Sequence, residues 1–474
     1  MTPSEGTMER SGQLIFKQYY LGCLSQASYL IGDAGTGRAV VVDPQRDVKE
    51  YLDDAREAGL TIERILETHV HADFLSGHLE LAAATGAPIS YGDAADVEFA
   101  IEALADEQSL SLGTVTLEIM HTPGHTPESI CIVVRESAEA SEPYGVLTGD
   151  TLFVGDVGRP DLLGANGWSP EELAKALYRS TRERLLPLPD STRVFPAHGA
   201  GSACGKNLST ETSSTIGEQR RSNYALAPMS EDAFVSAVCE GQSAAPMYFA
   251  FASHRNREDR PMLDETTAVP SLQPEAFLDR RRDGATVLDT RDPQDFASAH
   301  LTGAINIGLG GRFAEMAGQV IPAESDLLLV CDTGTEVEAR NRLARIGFDR
   351  VLGHLDGGIA SVPAVHLRAA GRVDAERLEA LAVPVQLLDV RGPGEVAGTG
   401  SIRGAHLIPL SVLVSRVGEL DPSRSTVVYC AGGYRSSIAA STLRAHGFDD
   451  VYDLLGGFGA WDNGERPVDQ AQPV

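Results

Sequence analysis

Two segments of the chain, about one hundred residues apart, have closely similar sequences. The first contains TVLDTRDPQDFASAHLTGAINIGL, from Thr286 to Leu309, and continues through LLLVC to GFDRVLGHLDGG. The second contains QLLDVRGPGEVAGTGSIRGAHLIPL, from Gln386 to Leu410, and continues through TVVYC to GFDDVYDLLGG. Each copy alternates short apolar runs with amphipathic stretches of helical length, which is typical of a parallel sheet covered by helices. The repeat therefore predicts two consecutive α/β domains, at residues 269–368 and 372–468.

The 474-residue chain is long enough for a further domain before the repeats. Residues 13–245 also alternate strands and helices, and VVVDP, ILETH and GVLTGD each end an apolar run. We therefore expect one larger α/β unit at 13–245. Residues 246–268 are expected to form a linker, because the polar stretch there has no sustained period. Short tails are expected at 1–12 and 469–474.

Composition excludes several classes of protein. The chain has no apolar run near the ~18 residues that a membrane-spanning helix needs. Its first residues lack the pattern of a secretion signal. The 39 basic and 67 acidic residues give a net charge of −28, which makes nucleic acids and anionic membranes poor partners. The six cysteines form no CxxC pair, which argues against a disulfide framework and favours a cytoplasmic protein.

Imidazole and carboxylate side chains follow several of the predicted strand ends. They are His69, His71 and Asp73 in THVHADFLSGH, His121 and His125 in HTPGHTPES, Asp150 in LTGD and His198 in FPAHGAGSACGK. Each such group donates a lone pair to a transition metal at ~2.0–2.2 Å. Any one of them alone is explained as a turn residue, but the set together predicts a metal site. His121, which precedes Pro123, is interpreted as the end of a strand rather than a ligand.

The order HxHxD, GH, TGD and PAH resembles the metallo-β-lactamase superfamily over residues 13–245. This resemblance implies an αββα sandwich for the first unit. The dinuclear hydrolases of that superfamily have a further histidine directly after the motif aspartate, where this chain has Phe74. Because a phenyl ring cannot ligate a metal, a second site would keep only Asp73, His198 and a shared Asp150. The sequence therefore favours one metal ion over two.

The longer motifs THVHADFLSGH, GDTLFVGDVGRPDL and PAHGAGSACGKN resemble the persulfide dioxygenase branch and its fusions to rhodanese domains. This resemblance implies one Fe(II) ion per chain, with zinc as a possible substitute, held by His69, His125 and Asp150. Two imidazoles and one carboxylate leave positions open on iron for a sulfur ligand and O₂. Three more groups would orient the ligands or line the pocket: His71, Asp73 and His198.

Two residues near the predicted ligands, Arg159 and Cys204, have two interpretations each. The resemblance implies that Arg159 in GRPDL binds the carboxylate end of a thiol substrate with its planar guanidinium. A structural pair between Arg159 and Asp161 is an equal alternative. Cys204 and Lys206 follow His198 closely enough to face the same pocket. For Cys204 a buried structural thiol is favoured, because no base is adjacent in sequence.

In the second repeat the strand-like STVVY leads into CAGGYRSS and an amphipathic helix. Loop N–H groups, the helix N-terminus and Arg435 would favour the thiolate form of Cys430. Such a thiolate takes up sulfane sulfur, and the same N–H groups would stabilise the resulting persulfide. CxGGxR, with LLDVR and GAHLIPL, resembles the rhodanese sulfurtransferase family across the repeat. The resemblance assigns catalysis to Cys430 and Arg435. Substrate binding is assigned to three more loop residues: Gly432, Gly433 and Tyr434.

The first repeat departs from this pattern. Its strand ends in Cys331, but the loop reads CDTGTEVE and has Glu336 where the second repeat has Arg435. Asp332 and Glu336 would raise the pKa of Cys331 by like-charge repulsion. We therefore predict that this copy is inactive as a sulfurtransferase.

The two predicted sites share one kind of substrate. The resemblance implies that a low-molecular-weight thiol persulfide reacts with O₂ and water to give sulfite and thiol. Cys430 would then accept persulfide sulfur or move it onto sulfite to give thiosulfate. This favours a role in sulfide or persulfide detoxification. Two alternatives stay open: a zinc-dependent thioester hydrolase similar to glyoxalase II with accessory rhodanese domains, and a non-catalytic sulfur carrier. A homodimer is the default oligomeric state.

Overall fold

The structure, a computed structural model, describes residues 6–162, 167–242, 244–380, 385–462 and 466–469. These residues form two compact units. The first runs to Gln242 and takes in Phe249–Leu263, and the second contains Tyr248 and the chain from Asp264 onward. Of the predicted tails, residues 1–5 and 470–474 lie outside the described residues.

Two mixed β-sheets form the first unit. The seven-stranded sheet contains, in spatial order, Glu9–Ser11, Leu14–Leu21, Gln26–Asp33, Arg38–Val42, Thr61–Leu66, Ile89–Gly92 and Glu102–Leu104. The six-stranded sheet contains Ser214–Thr215, Arg193–Pro196, Gly145–Gly149, Ile130–Arg135, Thr116–His121 and Ser109–Ser111. The first strand lies within the predicted tail 1–12, where Arg10 pairs with Ile15.

The alternation of apolar side chains along the strands stacks the two sheets face to face. Phe16 and Tyr29 from one sheet pack with Ile132 and Phe195 from the other in a fully buried core. Helices cover both outer faces and bury a second set of apolar side chains there. They are Lys49–Glu57, His78–Thr85, Pro170–Arg179, Ile216–Ser222 and Glu231–Cys239. The αββα sandwich expected from the resemblance is confirmed.

Part of the segment predicted as a linker, 246–268, is folded against the first unit. It contains the helix Tyr248–Arg255, and the polar residues Asn256 and Arg260 are buried in it. The Asn256 amide donates hydrogen bonds to the carbonyls of His71 and Phe74, at 2.9 and 2.8 Å. The segment therefore supports the loop that carries the HxHxD motif.

The two repeats in the second unit each contain a five-stranded parallel sheet, as predicted. The first sheet contains Ser271–Leu272, Val351–Leu355, Leu327–Val330, Thr286–Asp289 and Ile305–Asn306. The second contains Gly371–Val373, Val451–Leu454, Thr426–Tyr429, Gln386–Asp389 and His406–Leu407. Each repeat also has one two-stranded antiparallel ribbon: His300–Leu301 with Leu367–Arg368, and Ser401–Ile402 with Val468–Asp469.

Helices flank both parallel sheets. In the first repeat they are Pro274–Arg282, Pro293–Ser298, Phe313–Val320 and Glu336–Ala344. In the second they are Ala375–Glu379, Pro393–Thr399, Leu410–Arg416, Tyr434–Ala445 and Gly457–Trp461. Among the described residues, no helix has the length and apolar character that a membrane crossing needs.

Candidate metal centre and sulfur site

Strand ends place the predicted metal ligands together at one edge of the sandwich. His69 follows Thr61–Leu66, Asp150 directly follows Gly145–Gly149, and His125 lies in the loop after Thr116–His121. All three side chains are buried. Their donor atoms lie within 4.8 Å of one another.

The distances among these donors suit ligands of one ion. Nε2 of His125 lies 3.4 Å and Nε2 of His69 lies 3.9 Å from Oδ2 of Asp150. Ligands that each lie ~2.0–2.2 Å from a common ion are separated by such distances. These three residues therefore form one candidate site.

Hydrogen bonds fix the orientation of both imidazoles. The Thr68 hydroxyl donates to Asp43 at 2.9 Å and lies 3.0 Å from Nδ1 of His69. Nδ1 of His125 lies 2.8 Å from the carbonyl oxygen of Arg159. Because an oxygen acceptor faces each Nδ1–H, each ring directs the lone pair of Nε2 toward the site. Burial and the neighbouring imidazoles lower the pKa of His69 well below its ordinary value, which favours the neutral form that binds metal.

The buried polar atoms at the centre fit a cation. Both carboxylate oxygens of Asp150, Oδ1 of Asp73 and Nε2 of His198 have no hydrogen-bond partner among the described residues. A buried carboxylate without hydrogen bonds costs several kcal/mol, roughly, unless a cation compensates it. This donor set therefore has the chemistry of a metal site.

A second group of donors adjoins the first: His71, Asp73 and His198. Nε2 of His198 lies 3.3 Å from Asp73 and 3.4 Å from Asp150. The buried ring of Phe74, at the position of the missing histidine, packs on His71 with centroids 4.4 Å apart. Because Phe74 stands directly after the HxHxD motif, the motif supplies no further histidine to the second group.

His71 is engaged by two buried carboxylates. Its Nε2 lies 3.1 Å from Asp43 and 3.3 Å from Glu67. Burial disfavours the charged ring, but Asp43 and Glu67 outweigh it and raise the pKa of His71 well above its ordinary value. A protonated His71 cannot ligate a metal through Nε2, which suits a role in holding the loop.

Arg159 forms the structural pair with Asp161 that was the alternative to substrate binding. Its Nε and Nη2 atoms donate to the two oxygens of Asp161 at 2.7 and 2.8 Å, so the edge that would bind a carboxylate is occupied. The structural pair is therefore observed. Lys206 does not face the pocket either: its ammonium group contacts the carbonyls of Ala237 and Glu240.

Cys204 lies beside the site, and it is also buried. Its sulfur joins Asp150 and His198 in a buried group of donors that lie within 4.8 Å of one another. Burial and the carboxylates of Asp73 and Asp150 raise the pKa of the thiol well above its ordinary value. By contrast, His121 lies outside the site, with Nε2 2.8 Å from the Leu104 carbonyl oxygen, as its interpretation as a strand end predicts.

Sequence reasoning missed the residues that support the ligands. Asp43 accepts hydrogen bonds from both the backbone N–H and the hydroxyl of Thr68, at 2.7 and 2.9 Å. Its φ of 50° is left-handed, a conformation that aspartate adopts more readily than most residues. The available signal was an aspartate directly after the apolar run in VVVDP.

Replacing Thr68 by Val is expected to weaken metal binding about 10- to 100-fold, since the isosteric side chain no longer orients His69. A chelator competition assay measures this change. Thr192→Val is the matched control, because the Thr192 hydroxyl is buried and has no hydrogen-bond partner among the described residues. Equal affinities for both variants would contradict the role of Thr68.

The second repeat presents Cys430 between the strand Thr426–Tyr429 and the helix Tyr434–Ala445. The Gly433 N–H donates to the Cys430 sulfur at 3.1 Å. Gly433 adopts a φ of 108°, which is strained for any residue with a Cβ atom. The loop thus directs a backbone donor at the sulfur of Cys430, as the sequence predicted for this loop.

The loop residues around the sulfur make further contacts. Arg435 forms a two-pronged pair with Glu395 at 2.6 and 2.7 Å and also interacts electrostatically with Cys430. The Tyr434 hydroxyl contacts the carbonyl of Gly310 in the first repeat at 3.3 Å. Gly432 is exposed. Positive charge at Cys430 therefore comes from the helix N-terminus, the Gly433 N–H and Arg435, whose charge Glu395 partly compensates.

Replacing Gly433 by Ala is expected to lower the sulfurtransferase kcat about tenfold or more, because the strained residue would shift the N–H away from the sulfur. Gly432→Ala is the matched control, since a Cβ at Gly432 would meet no atom within 4 Å and its φ is not left-handed. A cyanide-dependent thiocyanate assay compares the two variants. Similar losses in both would contradict this role of the Gly433 N–H.

The first repeat places Cys331 in a different environment. Burial and Glu336 raise the pKa of its thiol to about 12. This supports the prediction that the copy is inactive, because the thiolate is the reactive form.

The pH dependence of thiol alkylation tests the raised pKa of Cys331. In the presence of a chelator, the labelling rate of Cys331 is expected to rise about tenfold per pH unit between pH 7 and 10, because the thiolate fraction rises tenfold per unit below the pKa. Peptide mass spectrometry measures Cys331 and Cys430 together. Labelling of Cys331 as fast as Cys430 at pH 7 would contradict the prediction.

Two protein-family models match parts of the chain. Residues 21–198 match the model of the metallo-beta-lactamase superfamily, and residues 273–363 and 374–463 match the rhodanese-like domain. A crystal structure of a metallo-beta-lactamase from Staphylococcus aureus subsp. aureus COL is 34% identical, with a TM-score of 0.66. It covers 73% of this chain and 99% of its own. The chain belongs to the metallo-beta-lactamase superfamily.

Other proteins similar to this metallo-beta-lactamase superfamily member differ in their named activities. Uncharacterized protein ML0493 of Mycobacterium leprae is 32% identical over 231 residues, 43% of this chain and 94% of the relative. Persulfide dioxygenase ETHE1, mitochondrial, of Bos taurus is 29% identical over 237 residues, 48% of this chain and 82% of the relative. A hydroxyacylglutathione hydrolase of Polaromonas is 35% identical over 177 residues, 36% of this chain and 61% of the relative. The resemblance inferred from the motifs is confirmed at the level of these families.

Proposed function

We propose that the protein oxidises a low-molecular-weight thiol persulfide at one ferrous ion held by His69, His125 and Asp150. One persulfide, one O₂ and one water give one thiol, one sulfite and two protons. The observation that carries this proposal is the donor set itself: a buried carboxylate without hydrogen bonds beside two imidazoles whose Nδ1 atoms face oxygen acceptors. Two imidazoles and one carboxylate are the set that oxygen-activating non-haem iron uses.

Bound ferrous iron would supply a binding position for the persulfide sulfur and the redox chemistry that O₂ requires. The chain supplies the surroundings. Thr68 and the Arg159 carbonyl hold the two imidazoles, while Phe74 and Phe153 limit the access of water beside the site. His198 and Asp73 are placed to accept the protons that the reaction releases, because His198 Nε2 and Asp73 Oδ1 have no hydrogen-bond partner among the described residues.

The second unit would transfer the outer sulfur of the persulfide. The Cys430 thiolate attacks the outer sulfur of a persulfide, the donor's S–S bond breaks, and the donor leaves as a thiolate. The sulfite sulfur then attacks the outer sulfur of the Cys430 persulfide, which releases thiosulfate and regenerates the thiolate. The Gly433 N–H, 3.1 Å from the Cys430 sulfur, would stabilise both anionic forms.

An oxygen electrode tests the first activity. After anaerobic reconstitution with ferrous iron, the full chain is expected to consume O₂ on addition of glutathione persulfide and to form one sulfite per O₂. Zinc-loaded protein is the control and is expected to consume none. Absence of O₂ uptake by the iron-loaded protein would defeat the proposal.

A zinc-dependent thioester hydrolase is the second candidate. The observation in its favour is the additional donor group of His71, Asp73 and His198, together with the similarity to a hydroxyacylglutathione hydrolase. That function predicts about two zinc ions per chain and hydrolysis of S-lactoylglutathione. The burial of Phe74 and the pairing of His71 with two carboxylates favour the dioxygenase instead.

A further inference from the structure

Three chemically different metal-binding side chains meet at the loop of the first repeat. The donor atoms of Cys331, Glu336 and His354 all lie within 4.8 Å of one another, and each residue is partly exposed. None of them belongs to the candidate centre of the first unit. A thiolate, a carboxylate and an imidazole are each ligands that zinc accepts.

Three rigid elements hold this group. Cys331 directly follows the strand Leu327–Val330, and Glu336 is the first residue of the helix Glu336–Ala344. His354 lies on the neighbouring parallel strand, where it pairs with Leu329. The positions of the three side chains are therefore set by the fold rather than by a long loop.

A comparison with the second repeat shows which residues differ at this loop. Glu336 stands where the second repeat has Arg435, five residues after the cysteine in both copies. His354 takes the sheet position of Asp453, since each pairs with the residue two before the cysteine. Asp453 is bound by Arg372 at 2.8 Å. The first repeat thus has a carboxylate and an imidazole where the second has an arginine and an aspartate.

The contacts of Glu336 and His354 are compatible with an ion bound between Cys331, Glu336 and His354. The Gly334 N–H donates to Oε1 of Glu336 at 3.0 Å, which holds the carboxylate over the loop. Nδ1 of His354 lies 3.9 Å from the same oxygen, too far for a hydrogen bond. That distance is close to the separation of two ligands of one zinc ion. Asp332, next to Cys331, adds negative charge that favours a cation.

We propose that the first rhodanese-like domain binds a zinc-type divalent ion through Cys331, Glu336 and His354. Three protein ligands leave the fourth tetrahedral position for water or an exchangeable ligand. Sulfur and nitrogen donors exclude magnesium and calcium as the preferred ions. Binding displaces the thiol proton, so the affinity rises with pH. The loop that transfers sulfur in the second repeat is a metal site in the first.

Cobalt titration of the full-length protein, kept anaerobic, tests this site. Cys204 also lies beside Asp150 and His198, so a thiolate-to-cobalt charge-transfer band in the near ultraviolet is assigned to the Cys331 site by its loss in Cys331→Ala and its retention in Cys204→Ala. We expect the band in the parent protein and its loss in Cys331→Ala and His354→Ala. Glu336→Arg, which restores the residue type of the second repeat, is expected to weaken cobalt binding at least tenfold.

Two matched controls make the result decisive. Cys204→Ala removes the cysteine beside Asp150 and His198, and Cys430→Ala removes the cysteine of the second repeat. Both variants are expected to keep the band. Absence of the band in the parent, its persistence in Cys331→Ala, or its loss in Cys204→Ala would each overturn the proposal. Thermal unfolding of every metal-free variant confirms that a lost band does not arise from a lost fold.

Discussion

Replacing Asp150 by Asn is expected to abolish iron binding and to reduce persulfide-dependent O₂ consumption at least about a thousandfold. Asp150 is the only carboxylate in the proposed ligand set, and its two oxygens have no hydrogen-bond partner among the described residues. Iron should also stop stabilising the fold. At an iron concentration about 100 times Kd, the parent gains about 2.7 kcal/mol in free energy of unfolding, and the variant gains nothing. Oxygen uptake and thermal unfolding with and without iron measure both effects.

Asp33 provides a matched control for Asp150. It is equally buried in the same sandwich, but its carboxylate accepts four backbone N–H groups, at 2.7 to 3.0 Å. Asp33→Asn is therefore expected to lower the free energy of unfolding by about 1–3 kcal/mol and to keep iron binding. Asp150→Asn is expected to leave the iron-free fold at least as stable as the parent, because it removes an uncompensated buried charge. Retention of iron by Asp150→Asn would contradict the assignment.

Replacing Cys430 by Ser is expected to lower sulfurtransferase activity at least about a thousandfold and to leave O₂ consumption with a free thiol persulfide within about twofold of the parent. Serine cannot form a persulfide, so the group-transfer step has no carrier. The measurements are thiosulfate formation and oxygen uptake on the same preparation.

Cys331→Ser is the control for this variant. The pKa of the Cys331 thiol is raised to about 12, so its removal is expected to leave both activities unchanged. If Cys430→Ser abolished O₂ consumption as well, the metal site would have no independent activity. The protein would then be a sulfur carrier, the alternative that the sequence left open.

Local sequence patterns predicted the repeat and the parallel sheets, whereas the resemblance to the metallo-β-lactamase superfamily implied the αββα sandwich. The repeat and the parallel sheets follow from alternation and periodicity within single elements, which the sequence displays directly. The sequence SPEE at residues 169–172 is a typical helix start, and the helix Pro170–Arg179 begins there, with the Ser169 hydroxyl accepting from the Glu172 N–H at 3.2 Å. The motif histidines also came together, because loops after neighbouring strands meet at one sheet edge.

The environment of each site residue was harder to predict, because it depends on contacts between distant residues. Arg435 and Glu395 are 40 positions apart, so their pairing required the fold of the whole repeat. Asn256 supports the carbonyl of His71 across 185 positions. The sulfur of Cys204 lies near the carboxylate of Asp150, which is also distant in sequence. Only the pair of Arg159 with Asp161 was close enough in sequence to be proposed.

Anomalous diffraction at the iron absorption edge, from crystals grown without air after ferrous reconstitution, locates the bound ion. We expect one peak per chain in the first unit, bonded to His69, His125 and Asp150. Two peaks, with the second between Asp73 and His198, would instead support a dinuclear enzyme. No peak at these residues would contradict the proposed iron site.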